Sequence, residues 1–360
     1  MKVAGVPYRS VWREAERVAI IDQTRLPFEF QTLRLGSFEE IARAIRSMQV
    51  RGAPLIGATA AYGMALAMSA NSSDANLAQA ADFLGKTRPT AINLRWAIRR
   101  MTRLLQDVLP AARVDAAWKE AQAIADEDIA LNLAIGQHGL AMLREVAKRK
   151  ANINVLTHCN AGWLATVDVG TALAPIYLAH DAGMSVHVWV DETRPRNQGL
   201  LTTWELSEHG VSNTLVADNA GGHLMQRGQV DLVMVGADRV TGAGDVCNKI
   251  GTYLKALAAK DCGVPFYAAA PSPTIDWEIR NAMTDIPIEE RGGDELLVVR
   301  GQQAADQGST QVRIAPPEVR AANPAFDVTP GRLVTGIITD LGIAIPTRRG
   351  LDKLYRTRAA

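Results

Sequence analysis

The sequence is short of the features that would place it in a specialised class. Only three cysteines, Cys159, Cys247 and Cys262, occur in 360 residues, and none form a CxxC pair. A set so sparse and odd in number excludes a disulfide framework and implies a reducing compartment. Charge of one sign is also missing, with 39 Lys and Arg against 38 Asp and Glu, a net charge of +1. Such a chain has no global field for polyanions, so nucleic acid is not an expected partner, and any anion must be held by a few placed groups. Met1 to Ser10 has no signal-type apolar core. The most apolar helical stretch, Ala58–Ala70, is shorter than the ~20 residues a bilayer requires. The expectation is a soluble, cytoplasmic chain with no membrane partner. No G-x-G-x-x-G follows a strand, since Gly242-Ala-Gly244 lacks the third glycine, and no Walker A spacing occurs. Neither HExxH nor a Cys/His zinc spacing is present, so neither a metal nor a nucleotide cofactor is expected.

What is there is ordinary in bulk, 48% hydrophobic and 21% charged, which excludes disordered and fibrous classes. At roughly 100–200 residues per domain, the length predicts two domains. Val18–Ile21 and Phe28–Leu35 read as strands around the breaker Thr24–Pro27. Ser37-Phe-Glu-Glu40 has the form of a capping box and opens a helix through Met48. From there to Lys150 only helices are expected, with breakers at Arg51–Pro54, Asn71–Ser73 and Arg88–Pro89. Arg95, Arg99 and Arg103 recur four residues apart, a stripe better read as a solvated helix face than as a phosphate site.

Near residue 150 the pattern changes. Five short apolar runs follow, Ile153–Thr157, Val186–Val190, Thr214–Ala217, Leu232–Val235 and Pro265–Ala269. Helices are expected between them, at Val167–Ala182, Thr202–His209 and Asn248–Lys260, and a last helix from Thr329-Pro330 through Asp340. Apolar strands alternating with helices predict a parallel sheet covered on both faces. The fold class is therefore α/β: a mainly helical N-terminal domain with a small β-hairpin (1–150), then a Rossmann-like, doubly wound parallel-sheet domain (151–360).

Ligands of such sheets bind beyond the carboxyl ends of the strands. His158-Cys159-Asn160, Asp191–Arg194, Asp218-Asn219 and Gly236–Arg239 follow four of the five runs. Cys159 stands at a strand-to-helix turn whose amides would lower a thiol pKa and expose the thiolate; the alternative is a small core cysteine. Cys247 and Cys262 read as structural, and His158 as a hydrogen-bonded structural histidine. Asp238 is half desolvated at a sheet mouth, which suits a general acid or base; its alternative is a loop cap or a partner for Arg239. Arg51-Gly-Ala-Pro54 sets a guanidinium before a helix with Pro54 at its start, a phosphate-binding arrangement. Gly244 to Thr252 leads into a helix with Lys249 near its start, a second candidate anion turn. The inventory fits a small phosphorylated metabolite processed by acid–base chemistry without a cofactor.

Seven blocks then carry a resemblance: Arg51–Gly57, Thr87–Leu94, Thr157–Gly162, Asp191–Pro195, Val235–Arg239, Gly244–Tyr253 and Asn323–Pro330. They resemble, in order, the methylthioribose-1-phosphate isomerase family. That family is related to regulatory subunits of the eukaryotic translation-initiation guanine-nucleotide exchange factor and to archaeal ribose-1,5-bisphosphate isomerase. The resemblance implies a cofactor-independent conversion of 5-methylthioribose 1-phosphate to 5-methylthioribulose 1-phosphate in methionine salvage, by a homodimer. It implies Cys159 and Asp238 as the catalytic pair. It implies Arg51, Gly52, Ala53, Arg88, Gln198, Asn248 and Lys249 as substrate-binding positions. The chain departs from the family pattern at Trp163, where a small residue is usual, and at Asn197, where an apolar one is. The segment Gln198–Leu206 is also one residue shorter and lacks the basic residue often found after Gln-Gly. These differences leave the 5-substituent open, with 5-deoxyribose 1-phosphate or ribose 1,5-bisphosphate as alternatives; Arg194 and Arg196 are candidates for a second phosphate. A non-catalytic regulatory subunit is the alternative of another class. It would require none of Cys159, Asp238, Asn248 and Lys249. A dehydrogenase falls with the missing glycine fingerprint.

Overall fold

The chain begins in strands because its first 35 residues alternate rather than recur at helical spacing. In the computed structural model, which describes residues 1–88, 91–303 and 308–356, β1 (Lys2–Val3) pairs with β2 (Val6–Pro7). β3 (Val11–Glu14), β4 (Arg17–Ile21) and β5 (Thr32–Leu35) form an antiparallel sheet. The expected hairpin is β4–β5; β3 had no separate signal. Ser37 caps α1 (Phe38–Arg46), accepting the Glu40 N–H at 3.2 Å, while Glu40 accepts from the N–H of Gly36 at 2.6 Å. The box thus closes one residue earlier than the motif predicts.

α2 (Ala53–Ala70) is apolar on every side and is the buried centre of the helical region. At 18 residues it is longer than Ala58–Ala70 and is long and apolar enough to cross a membrane by length and composition. However, 89% of it is buried inside this fold. α3 (Asp74–Gly85), α4 (Ile92–Gln106) and α5 (Arg113–Ala147) complete the helical run. Pro89 of the breaker at 88–89 lies outside the described residues. Arg95, Arg99 and Arg103 are exposed on α4, as expected of a solvated face. α5 serves two cores: Ala117 to Ala125 pack with α1–α4, and Ile135, Leu140 and Leu143 pack under the large sheet. A Cβ on Gly139 would lie 2.2 Å from Pro175, so only glycine allows α6 (Ala174–Asp181) this close.

β6 (Ile153–Thr157), β7 (Val186–Asp191), β8 (Ser212–Val216), β9 (Leu232–Val235) and, after the short β10 (Arg239–Thr241) and β11 (Val246–Lys249), β12 (Phe266–Ala269) realise the five apolar runs. β8 starts two residues and ends one residue earlier than the expected run. β13 (Ile275–Asp276), an exposed antiparallel hairpin of β14 (Val298–Gln302) and β15 (Ser309–Arg313), β16 (Phe326–Thr329), β17 (Gly336–Thr339) and β18 (Gly342–Ala344) follow. The large sheet has the order β18-β17-β12-β9-β6-β7-β8, parallel throughout except for β18 at its edge. α7 (Gly199–Glu208), α8 (Ala220–Gln226) and α9 (Thr252–Cys262) cover it with α6.

Three expected helices are corrected. Residues 329–340 are not helical: Pro330 leads into one 3-10 turn, and the β-branched run Gly336–Thr339 is a wholly buried central strand. Local cap chemistry lost to burial of an apolar run between two strands. The helix expected over 167–182 starts only at Ala174, because Val169 and Gly170 have φ of 72° and 86°. Asn248 and Lys249 lie on β11 and not in a helix, which begins at Thr252 after left-handed Gly251.

Candidate active site

The sheet order sets the place of the site. From β6 the chain winds outward to β7 and β8, then returns to β9 on the other side, so the switch point lies between β6 and β9. That crevice is where α/β sheets bind ligands. Cys159 follows β6 and Asp238 follows β9, on neighbouring strands. The second sheet, β13-β10-β11-β16, runs from Asp238 and delivers Asn248 and Lys249 back to the same mouth. Arg51, Gly52 and Ala53 arrive at the start of α2, and Gln198 stands just before α7.

All nine residues singled out from the sequence line one cavity of about 50 Å³, with His158, Asn160, Arg291 and Phe326 beside them. Gly52 has φ 99°, and a Cβ there would meet the Ala165 carbonyl oxygen at 2.4 Å, so the loop can close on the cavity only with glycine. Arg51 is buried and donates to Asn160 Oδ1 and, at 2.7 Å, to the Asn160 carbonyl. Arg88 pairs with Glu289 at 3.1 Å. Lys249 faces its cross-strand partner Phe326 with its ammonium 4.5 Å from the ring centre, and burial lowers its pKa. Asn248 donates to Thr252 Oγ1 at 3.1 Å.

Cys159 adopts φ 68°, held by its N–H to Thr193 Oγ1 and its carbonyl from Thr202 Oγ1, both at 2.8 Å. Of the two readings the sequence left open for its thiol, burial is the stronger influence. Burial pushes its pKa up, against the pull of Arg51 and Lys249, so the resting group is a neutral thiol. The Asn160 N–H at the turn also pulls the pKa down, but burial and the neighbouring Asp238 outweigh it. Asp238 is half-buried, and Arg239 pairs instead with Asp276 at 3.2 Å, which leaves the Asp238 carboxyl facing the cavity. Cys247 is buried on β11 and Cys262 ends α9; both are free thiols outside the small cavity.

His158 is buried between two acceptors, Asp191 Oδ2 at 2.9 Å and the Ile250 carbonyl at 2.8 Å. With Asp218 these residues bring three donor atoms within 4.8 Å. The protein itself engages most of them: Lys255 lies 3.3 Å from Asp191 Oδ2, and Asp218 accepts the N–H groups of Thr193 and Arg194 at 2.8 and 2.7 Å, while Asp191 Oδ1 is buried without a hydrogen-bond partner. The cluster braces the turn behind Cys159. Arg291, which pairs with Glu289 at 3.2 Å, lines the cavity without having been singled out, since no motif surrounds it.

A wider chamber of about 560 Å³ adjoins the small cavity and shares Met48, Arg51 and Gln198 with it. Leu26, Phe28, Leu200, Leu201, Val298 and Val299 give it apolar walls. Arg196 is paired with Glu295 at 2.7 Å, and Arg194 donates to the carbonyls of Pro195 and Leu296. Trp163 lines neither space; it is buried 6.1 Å from Trp204. Asn197 lines the chamber.

A cation-lined crevice at the switch point of a doubly wound sheet defines an α/β enzyme for a small anionic metabolite. Comparison with known proteins narrows the class. Residues 49–346 match the initiation factor 2 subunit family. Methylthioribose-1-phosphate isomerase of Acidiphilium cryptum (strain JF-5) is 60% identical over 363 residues, 100% of this chain and 99% of that protein. The solved structure of 5-methylthioribose 1-phosphate isomerase from Pyrococcus horikoshii OT3 superposes with a TM-score of 0.83 at 41% identity, covering 98% of this chain and 96% of that one. A structure described as translation initiation factor eIF-2B, subunit delta, from A. fulgidus gives 0.80 at 40% identity, covering 97% and 100%. The chain belongs to the initiation factor 2 subunit family and, within it, to the methylthioribose-1-phosphate isomerases.

Proposed function

We propose that this chain is a cofactor-independent aldose–ketose isomerase converting 5-methylthioribose 1-phosphate to 5-methylthioribulose 1-phosphate, in methionine salvage in the cytoplasm. The observation that carries the reading is the meeting of Cys159 and Asp238 with Arg51, Arg88 and Lys249 around one cavity. Arg51, Arg88 and Lys249 hold the phosphate, with Gly52 and Ala53 closing over it and Gln198 and Asn248 bonding sugar hydroxyls.

Phosphate on O1 removes the free anomeric hydroxyl, so the ring cannot open by itself. Asp238 gives a proton to the ring oxygen as the C1–O bond breaks towards that oxygen. The C2 hydrogen then moves to C1 with its electron pair, the O2 proton leaves to Asp238, and C2=O forms. C2 is oxidised, C1 is reduced, and the proton balance closes. Cys159 flanks the migrating hydrogen. A proton-transfer route would need Cys159 as a thiolate base, and burial of the thiol favours the hydride route instead.

The 5-substituent extends past Gln198 into the wider chamber. Its apolar wall residues, and the engagement of Arg194, Arg196, Arg300 and Arg313 with protein acceptors, favour methylthio over a second phosphate. A panel of 5-methylthioribose 1-phosphate, 5-deoxyribose 1-phosphate and ribose 1,5-bisphosphate, followed by 13C NMR for the ketose carbonyl, tests this reading. Fastest turnover is expected on the first. Preference for the bisphosphate would replace the substrate, and no turnover on any would favour the non-catalytic subunit.

The homodimer belongs to the same proposal, supported by the edge strand β18 and its neighbour, where Ile343 and Ile345 are 41% and 68% exposed. Light scattering should give twice 38.8 kDa. The division at 150/151 is likewise proposed; a first core drawn from residues 11–125 with only Val167 from beyond supports two domains, while Ile135, Leu140 and Leu143 of α5 already belong to the second core.

A further inference from the structure

Gln198, Thr202 and Glu205 fall at i, i+4 and i+7, on one face of the turn and helix α7, and all three are buried. Gln198 lines the small cavity; Glu205 does not. Its carboxyl group is nevertheless tied to the site, although burial pushes its pKa up to about 8 against the donors that face it. Glu205 Oε1 accepts from the side-chain amide of Asn160, and Oε2 accepts the Leu164 N–H at 3.1 Å. The other amide hydrogen of Asn160 goes to Thr202 Oγ1 at 3.1 Å, and the Thr202 hydroxyl donates to the Cys159 carbonyl at 2.8 Å. With both amide hydrogens used, Asn160 can present only Oδ1 to Arg51, and its carbonyl takes the second guanidinium N–H. The packing is closed behind this chain of bonds, since a Cβ on Gly162 would lie 1.9 Å from Glu205 Oε1.

We propose that Glu205 is a positioning residue for the isomerase, fixing the Asn160 amide so that Arg51 is aimed at the substrate phosphate while Thr202 holds the Cys159 backbone. The proposal rests on the isomerase reading for its substrate. Glutamine at 205 keeps the volume but breaks the arrangement. The groups facing residue 205 are all donors, the Asn160 amide and the N–H groups of Leu164 and Trp163, so the new NH₂ must confront one of them. A flipped Asn160 would in turn set its own NH₂ against the Arg51 guanidinium.

The test compares wild type, Glu205→Gln, Thr202→Val and Thr202→Ser for KM and kcat on 5-methylthioribose 1-phosphate, with thermal melts alongside. Glu205→Gln is expected to raise KM about tenfold, the usual worth of a charge-assisted phosphate contact, with kcat changed less than about threefold. Thr202→Val should raise KM in the same direction, and Thr202→Ser, which keeps the hydroxyl, should restore it. A folded Glu205→Gln enzyme with wild-type KM overturns the proposal. So does a variant that loses kcat and thermal stability together without a KM change, the mark of a merely structural role. Should Glu205→Gln not fold, equal KM values for the valine and serine variants at 202 overturn it. If wild type itself turns over no pentose 1-phosphate, the isomerase reading fails separately. Affinity for inorganic phosphate by 31P NMR then decides, about tenfold weaker in Glu205→Gln if the proposal holds and unchanged if it does not.

Discussion

The small cavity and the chamber beside it share three residues and differ in nearly everything else. The cavity is framed by strand ends, the start of α2 and Gln198 just before α7, and Arg51, His158 and the Cys159 backbone are bonded to further buried groups. The chamber is framed by the loop residues 23–28 and 195–198, the first turn of α7 and the partly exposed β14–β15 pair, held by paired surface charges. Rigid elements with closed hydrogen bonding fix reacting groups, whereas loop walls can vary without disturbing them. The chemistry therefore belongs to the cavity and the choice of 5-substituent to the chamber.

The largest expected effect breaks the cavity side alone. Asp238→Asn should leave KM within about threefold and lower kcat by roughly 10²–10⁴, the scale of an acid–base contribution. Steady-state kinetics that show near-normal turnover would remove Asp238 from its role. A smaller effect sharpens the chamber side. Leu200→Arg adds a cation to the apolar wall and should lower kcat/KM for 5-methylthioribose 1-phosphate about tenfold, mostly through KM. The same variant should improve relative turnover of ribose 1,5-bisphosphate. A fall in kcat of the Asp238 scale would merge the two regions into one.

The smallest effect lies outside both. Asp128 on α5 accepts the Val167 N–H at 2.8 Å, and burial pushes its pKa up to about 7. A carboxyl pKa raised by folding contributes stability that is full below the ordinary value of about 4 and is lost as pH rises to about 7. Asp128→Asn should therefore raise Tm by about 2–4 °C at pH 8 and give no gain at pH 4. Calorimetry at the two pH values checks the sign, and activity at saturating substrate should not change.

How much could be read from residues follows the same division. β6 and β9 match the sequence expectation residue for residue, because each is a short apolar run ended by polar residues. The cavity residues lie next to such ends or in short motifs, so proximity along the chain stood for proximity in space. Thr329-Pro330 misled because cap chemistry is local while the burial of Gly336–Thr339 between β12 and β18 is not. The pKa direction of Cys159 was left open for the same reason: the turn was visible, but the burial around the thiol was not. Glu205 was missed because its partner Asn160 is 45 residues away. The spacing of 198, 202 and 205 on one helix face was the available signal.

The central claim, that a neutral thiol and an acid in the cavity move hydrogen from C2 to C1 within the substrate, has one direct measurement. Wild-type enzyme is given 5-methylthioribose 1-phosphate in D₂O, and the product is read by 1H and 13C NMR. The account predicts the ketose carbonyl with two undeuterated hydrogens on C1. Deuterium at C1 would contradict the hydride route, and absence of the ketose would contradict the account as a whole.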